Sequence, residues 1–580
     1  MERKSYLIRH SFWRYIAAAI LSMSAMNLKS IVDGILMGNF LGPNALSAIN
    51  VVVPMVNCIG AIALLFSQGP AIRMSMMLGA RENEKANQVY SVSLMSLLVV
   101  SVVLTVVVGA GNLAVPISDL LCVEKTLLPD VEKYASVLLF GCTLLILENG
   151  LSTLINVMGD PKIVTIAMTV SMCVNIVFDV LFVKVLNMDI AGAAYATLMG
   201  SLSSVVVFVY YLFRRSGMKL CRCPKWLSEL GSGLVSSLPG VAGSLAAVAL
   251  MLICNFYVQA HRGADGMFVM SVGYSMISIG SMFSNAIGMS YAAIGGMLMG
   301  QEDSYGLLAL FRRGIVIAIV VALVFNVAGL FSREVAMLFG GQTQSELDMA
   351  AYGLPLICTL LFALGIISSM VYLHTVLGHG TVATVNSLLV LVCVLISFIV
   401  VEKALPDEQL WLAFPTASVL SLLIFFLVTC VARWKSGGKL RWVSLLPKEG
   451  QETEKFDVSV RCEMADKSAA IDLLIAYLHD HGAERLEDSV IHCMDELMMN
   501  IVTFSGCGKD SYMDLTVSVR DQQVNASLRS CGKPFDPTQV KEEEKKLGMK
   551  IVSHYCRQME YRYTYGQNMV FAAWPGTPDA

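Results

Sequence analysis

Charged side chains are scarce in this chain. Only 15% of its 580 residues are Asp, Glu, Lys or Arg, and 56% are hydrophobic; a water-soluble protein carries about 25% charge. The shortage is local. The first 445 residues hold 26 of the 41 basic and 22 of the 44 acidic side chains, a net of +4, and the last 135 hold the remaining 15 and 22, a net of −7. A water-exposed surface cannot be built over the first stretch, whereas the second reads as a separate acidic domain. The change falls in RWKSGGKLRWVSLLPKEGQETEK (433–455). A cleavable leader is also missing from the opening MERKSYLIRHSFWR, so the first apolar segment is expected to be retained. The 15 cysteines form no framework: Cys221 and Cys223 stand together in a basic loop with no second pair at metal-ligand spacing. This argues against disulfide and zinc scaffolds and for buried or lipid-facing thiols. There is no GxxxxGK[ST], which argues against P-loop ATP-driven pumping.

Long apolar runs are what the chain has instead. A membrane-crossing helix needs about 20 mostly apolar residues, and twelve segments qualify: 14–38, 47–68, 89–113, 134–157, 162–186, 190–213, 234–258, 268–298, 313–331, 351–376, 382–401 and 410–432. With the N-terminus inside, the cytoplasmic connections hold 19 Lys and Arg and the external ones 6, so both termini are expected in the cytoplasm. The chain also resembles itself at an offset of 221 residues: Gly42 in LGPNAL matches Gly263 in RGADGM, Gly79 matches Gly300, and Gly159 matches Gly380. Since 221 residues contain six segments, an even number, the two halves run in the same direction. Parallel repeats suit a transporter whose halves rock around a central site.

Four ionisable groups lie inside these segments: Lys29, Asp33, Glu148 and Asp179. Each costs several kcal/mol in hydrocarbon unless paired or wet. Lys29 and Asp33 are four residues apart and can pair on one helix face; Asn175 and Asp179 share another. All lie in the first half, since the offset carries Asp33 to Cys254, Glu148 to Ser369 and Asp179 to Val400. They read either as ion pairs that fix packing or as a cation site in a semi-dry cavity. The 34 methionines read as lining for an adaptable cavity or as lipid-facing filler.

SIVDGILMGNFLGPNALSAINVVVP (30–54), MLGARENEKA (77–86) and MGDPKIVTIAMTVSMCVNIVFDVLFV through MDIAGAAYATLMG (158–200) are similar to the multidrug and toxic compound extrusion (MATE) family, over residues 10–435. The resemblance implies an all-α membrane protein of twelve helices in two six-helix pseudo-repeats, 1–222 and 223–440. It implies an antiporter driven by H⁺ or Na⁺ that exports small amphipathic, often cationic organic compounds across a bacterial plasma membrane, in contact with its lipid and without nucleic acid. It places the cation ligands at Asp33, Asn175 and Asp179, with Thr197 as a further oxygen. Lys29 and Glu148 stand outside the family pattern and are read as modulating charges, the ammonium favouring H⁺ over Na⁺. A flippase for lipid-linked saccharides shares the twelve-helix plan and remains an alternative.

Beyond a linker at 441–455 the pattern changes. ADKSAAIDLLIAYLHDHG and LEDSVIHCMDELMMNIVTFS have helical periodicity. YMDLTVSVR and QVNASLRS alternate like two antiparallel strands, and 546–574 reads as a helix and two more strands. Helices on one face of a mixed sheet make an α+β sandwich. Residues 456–575 resemble the histidine-kinase-type ATPase fold, nearest its anti-sigma-factor kinase branch. The resemblance implies ATP and Mg²⁺ as ligands, Glu496 as the catalytic carboxylate, Asn500 as the Mg²⁺ ligand, an adenine-side turn at Ser530 and Gly532, and a phosphate-side turn at Gly548. Three departures weaken it: Ser530 for the adenine-reading Asp, and Pro534 and Lys546 for turn glycines. ATPase or serine-kinase activity is accordingly weak or lost. The domain is expected to regulate transport by responding to nucleotide or to a cytoplasmic protein; a membrane-anchored kinase or sensor is the alternative.

Overall fold

The structure is a computed structural model. It describes residues 2–575 except 42, 112, 122–126, 340, 342, 449–454, 507, 509, 521–522, 537–551, 553–554 and 557. The chain divides into two compact units, Ile16–Leu446 and Met1–Tyr15 together with Pro447–Ala580. We call them the helical unit and the sheet unit.

Apolar runs with no backbone partner outside themselves must close their hydrogen bonds internally, and the helical unit does so as helices. Its first half contains α1 (Tyr6–Leu41, beginning in the other unit), α2 (Pro43–Gly79), α3 (Asn83–Ala110), α4 (Leu128–Phe140), α5 (Cys142–Met158), α6 (Pro161–Asp179) and α7 (Asp189–Arg214). The second half contains α8 (Trp226–Gly263), α9 (Asp265–Gly300), α10 (Ser304–Leu330), α11 (Gln344–Val376), α12 (Gly380–Ala404) and α13 (Asp407–Lys435). Among the described residues, 10 helices are long and apolar enough to cross a membrane, or 11 if α4 and α5, bent by 61° at their junction, count as one. Twelve were expected. Twelve are therefore not shown: besides the bent pair, the expected segment 14–38 is not among them, and it lies inside α1, several of whose side chains are outside the described residues.

The internal repeat has a physical counterpart. A Cβ on Gly79 would overlap the Met297 carbonyl, and a Cβ on Gly300 would overlap the Met76 carbonyl. Met76 and Met297 are themselves 221 residues apart. The contact between α2 and α9 is therefore reciprocal, each repeat mate meeting its partner's equivalent, and only glycine lets the two backbones approach so closely. Gly263 breaks the helical path between α8 and α9 at a φ of 60°, while its mate Gly42 lies outside the described residues. At the third pair, Gly159 caps α5 in the left-handed region (φ 102°), but in the second half that role falls to Gly378 (φ 77°), two residues before Gly380.

The sheet unit is built from β1 (Lys455–Arg461), α14 (Met464–Asp480), α15 (Glu487–Phe504), β2 (Tyr512–Arg520), β3 (Gln523–Cys531), β4 (Gln558–Thr564) and β5 (Gln567–Trp574). The strand order is β1-β2-β3-β5-β4, and all four pairings are antiparallel. A mixed sheet was expected; every pairing is antiparallel instead, β2–β3 and β4–β5 as hairpins with short connections and β1–β2 and β3–β5 across longer excursions of the chain. Alternation puts Val458, Leu515, Leu528 and Val570 on the face that packs against Leu474 of α14 and Leu497 of α15.

The opposite face carries polar residues and is nonetheless buried. Asp514 and Arg529, cross-strand neighbours on β2 and β3, are 0% and 3% exposed. The chain's own first residues cover them. Arg3 pairs with Asp514 at 2.9 Å and Asp457 at 3.3 Å. The Lys4 amide donates to Ser459 Oγ at 2.8 Å, and Gln567 donates to the Leu7 carbonyl at 3.2 Å. Leu7, Ile8 and Phe12 are fully buried. Burial pushes the Asp514 carboxyl above its ordinary value, while Arg3 and then Arg529 pull it back.

Removing one member of a buried pair leaves the other uncompensated, so Arg3→Met is expected to cost the sheet unit about 3–5 kcal/mol at neutral pH. The raised Asp514 carboxyl sets the sign of the pH dependence. Its contribution to stability is fully present below its unfolded value and is lost as pH rises through its folded value. Without Arg3 that folded value rises further, so the gap between variant and wild type should be widest at neutral pH and narrow on acidification. Limited proteolysis of the full-length protein across pH measures this; a gap that widens toward acid contradicts the assignment.

Candidate functional site

Two polar layers lie side by side in the first half of the helical unit. The first is fully satisfied. Glu148 of α5, 6% exposed, accepts from Lys29 Nζ of α1 at 3.2 Å, Ser171 Oγ of α6 at 3.2 Å, and Ser201 and Ser204 Oγ of α7 at 2.6 and 2.8 Å. Lys29 also donates to Ser171 Oγ at 2.8 Å. The expected Lys29–Asp33 pairing on one helix face is thus corrected. The ammonium hydrogen-bonds across to Glu148 and Ser171, because a cross-helix carboxylate surrounded by hydroxyls offers more partners than a carboxylate one turn along the same helix.

The second layer is unsatisfied. Asp33 of α1 lies within reach of Asn175 and Asp179 of α6. Tyr134 of α4 interacts with both carboxylates and with Thr197 of α7. Asn175, Asp179 and Tyr134 are 1%, 0% and 5% exposed. Yet Asp33 Oδ1, both Asp179 oxygens and Asn175 Nδ2 are buried without a hydrogen-bond partner. Thr197 Oγ1 donates to the Ala193 carbonyl at 3.1 Å, which leaves its lone pairs directed elsewhere. Buried carboxylate oxygens with nothing to accept from are costly. A cation, whether a proton or a metal ion, is the chemistry that such an oxygen set satisfies.

The local fold explains the convergence. A Cβ at Gly200 would lie 2.8 Å from the Ser171 carbonyl and 3.1 Å from the Asn175 Cβ. Glycine there lets α7 press against α6 at the level of both layers. Asp179 ends α6, and the chain continues as a π-helical turn over Val180–Val185; such turns often mark functional sites. The sequence-derived residues Asp33, Asn175, Asp179 and Thr197 come together, and Lys29 and Glu148 adjoin them. The offset mates Cys254 and Ser369 are buried and Val400 is exposed, so the second half supplies no matching layer. Sequence reasoning missed Tyr134, Ser171, Ser201 and Ser204; a search for polar residues facing the four charges at helical spacing would have found the serines.

In the sheet unit, Ser530 and its β5 neighbour Asn568 lie on the helix-facing side, in line with Leu528 and Val570. Ser530 is fully buried and its hydroxyl has no partner. Asn568, which sequence reasoning missed, accepts from the Phe535 amide at 2.9 Å and Tyr561 OH at 2.7 Å, and donates to the Lys533 carbonyl at 3.0 Å. It thereby fixes the turn after Ser530, where Gly532 has a φ of 131°. Asn500 of α15 is buried and Glu496, one turn earlier, half-buried. Gly548 and Lys546 lie outside the described residues. The orphaned hydroxyl lacks the charge that a carboxylate would bring.

Residues 18–181, which include Lys29, Asp33, Glu148, Asn175 and Asp179, match the MatE family model. The multidrug export protein MepA of Staphylococcus haemolyticus is 26% identical over 37% of this chain and 48% of its own length. For MepA of Staphylococcus aureus the identity is 24%, over 60% of that protein. The chain thus spans about half the length of these curated relatives. The probable multidrug resistance protein YoeA of Bacillus subtilis is 23% identical over 72% of this chain and 93% of its own. Among solved structures, the outward-facing conformation of a multidrug resistance MATE family transporter of the MOP superfamily aligns with a TM-score of 0.67 at 21% identity, over 74% of this chain and 96% of that one. A MATE protein in complex with MaL6 aligns at 0.65 and 20% identity, over 73% of this chain. The likeness is one of fold: a mostly helical membrane protein with the MATE architecture, and about a quarter of the chain beyond it.

The close contact at Gly200 yields a test. Gly200→Val should force α6 and α7 apart, lower the thermal midpoint and abolish any stabilisation by Na⁺ or H⁺; a variant that keeps both would detach the helix contact from the site.

Proposed function

We propose that this chain is a MATE-type antiporter, driven by H⁺ or Na⁺, that exports small amphipathic organic compounds by alternating access. One observation carries the reading: four polar atoms of Asp33, Asn175 and Asp179 are buried together without partners, in a fold shared with multidrug transporters. Such a set is stable only when a cation is aboard or when it opens to water. The charge state of Asp33 and Asp179 then decides which arrangement of the halves is favoured. A cation enters from outside, the halves rock about the α2–α9 crossing, and the organic molecule leaves outward as the cation is delivered inward. Asp33 and Asp179 hold the cation, and Asn175 and Thr197 add neutral oxygens. Tyr134 closes the layer and supplies a hydroxyl beside both carboxylates.

Asp33→Asn and Asp179→Asn should each abolish dye uptake into inverted vesicles at unchanged protein level. Imposing Na⁺ and pH gradients separately on the wild type identifies the coupling ion. Full uptake in both variants would remove the layer from the mechanism.

The sheet unit acts, in this reading, as a cytoplasmic regulatory domain that responds to nucleotide or to a protein partner. Ser530 would hydrogen-bond the base, Asn500 would hold Mg²⁺, and Glu496 is the carboxylate on which any phosphoryl transfer would depend. Bound ATP with Mg²⁺ supplies a charged ligand that changes the domain's surface; Asn568 keeps the turn at 532–536 in place to receive it. Loss of the Ser530 hydroxyl removes one hydrogen bond, about 1 kcal/mol or roughly fivefold in affinity. Ser530→Ala should therefore weaken binding of a fluorescent ATP analogue to the full-length protein by that factor. Equal binding by the two proteins would point to a partner-binding role without nucleotide.

A further inference from the structure

We propose that Lys29 is a tethered competitor for the coupling cation, its ammonium exchanging between Glu148 and Asp33 during the cycle. The proposal rests on the antiport reading above and adds to it a determinant of cation affinity.

The geometry of Glu148 is the starting point. It has three hydroxyl donors besides the ammonium: Ser171 and Ser204 reach Oε1 at 3.2 and 2.8 Å, and Ser201 reaches Oε2 at 2.6 Å. Both oxygens stay hydrogen-bonded when Lys29 departs. A carboxylate whose only task was a fixed ion pair would not need a ring of serines from two further helices. The serines make an anionic Glu148 tolerable without its counter-charge.

Asp33 is the complementary case. Its Oδ1 is buried and makes no hydrogen bond of good geometry, with Asn175 and Asp179 its only neighbours within reach among the groups that act on it besides Lys29. Lys29 sits four residues earlier on α1, within electrostatic reach of Asp33. A lysine carries three rotatable N–H donors on a flexible four-carbon stem, so turning the side chain moves the charge from one carboxylate to the other without moving α1. The titratable groups around the ammonium are Asp33, Asp179 and Tyr134 on one side and Glu148 on the other.

Two charge arrangements follow. With the coupling cation aboard, Asp33 and Asp179 share it and the ammonium rests on Glu148 and Ser171, as in this structure. When the cation leaves, the ammonium swings to Asp33 and the serines hold Glu148. Two bare carboxylates never face each other, and an entering cation loads only by displacing the ammonium. Lys29 thereby sets how much external cation is needed and assists release on the inside.

The test uses the purified full-length protein in detergent. Its thermal midpoint is titrated with NaCl at constant ionic strength and, separately, with pH, and the half-point of each response is read. Glu148→Gln releases the ammonium to Asp33 and should raise the cation required about tenfold; Lys29→Met should lower it about tenfold, the scale of one partly screened charge interaction. Lys29→Met alone leaves Glu148 without its counter-charge. The double variant Lys29→Met with Glu148→Gln keeps the layer neutral and reads the same decrease if the single variant does not fold. Half-points that stay at the wild-type value in Glu148→Gln and in the double variant, while Asp33→Asn abolishes the response, would make Lys29 a fixed packing partner and overturn the exchange. An Asp33→Asn protein that responds like wild type would instead overturn the cation site itself.

Discussion

A carboxylate oxygen that is out of water and has no donor is the most expensive arrangement in this protein, and the first half of the helical unit is organised around it. Glu148 is surrounded by four donors from three other helices, whereas Asp33 and Asp179, in the neighbouring layer, lack them. The same segment of α6 serves both layers through Ser171, Asn175 and Asp179. The contrast is one of satisfaction: one layer has its donors within the protein and the other does not. A carboxylate held by several donors stays satisfied when one of them leaves, whereas an unbonded one needs a cation or water to satisfy it.

Much of this was legible in the sequence. Charges within apolar runs stand out against their background, and the i, i+4 spacing of Asn175 and Asp179 survives folding because helix geometry is local. The 221-residue offset became the reciprocal glycine contact of α2 and α9. Alternation located β2 and β3 and their antiparallel pairing. Partner choice was not legible. Local spacing favoured Lys29 with Asp33, but the ammonium found Glu148, 119 residues away, because three hydroxyls from two neighbouring helices make that position better solvated. Tyr134 was invisible for the same reason: an aromatic in an apolar run carries no sign of what its hydroxyl meets. The polar face of the sheet gave the opposite error of omission, since its alternation resembles an ordinary solvent-facing pattern.

The sheet unit keeps the layout of helices over one face while altering the chemistry at one strand end. Ser530 occupies a buried position with an idle hydroxyl, and Asn568 on the adjacent strand holds the following turn through three hydrogen bonds. The unpartnered hydroxyl and the architecture of the turn therefore belong to separate residues. A change at Ser530 would leave the hydrogen bonds that hold the turn in place.

Residues 2–15 are translated long before the strands with which they share a compact unit. The ribosome must complete more than five hundred residues before the strands that bury Arg3, Leu7, Ile8 and Phe12 exist, so this segment waits through the whole of membrane insertion with its apolar side chains unburied. The sheet, for its part, closes only when the oldest part of the chain returns to it. Two segments far apart in the chain thus share one surface: without Arg3 and Leu7 the sheet would bare buried charge, and without the sheet those side chains would have nothing to pack on.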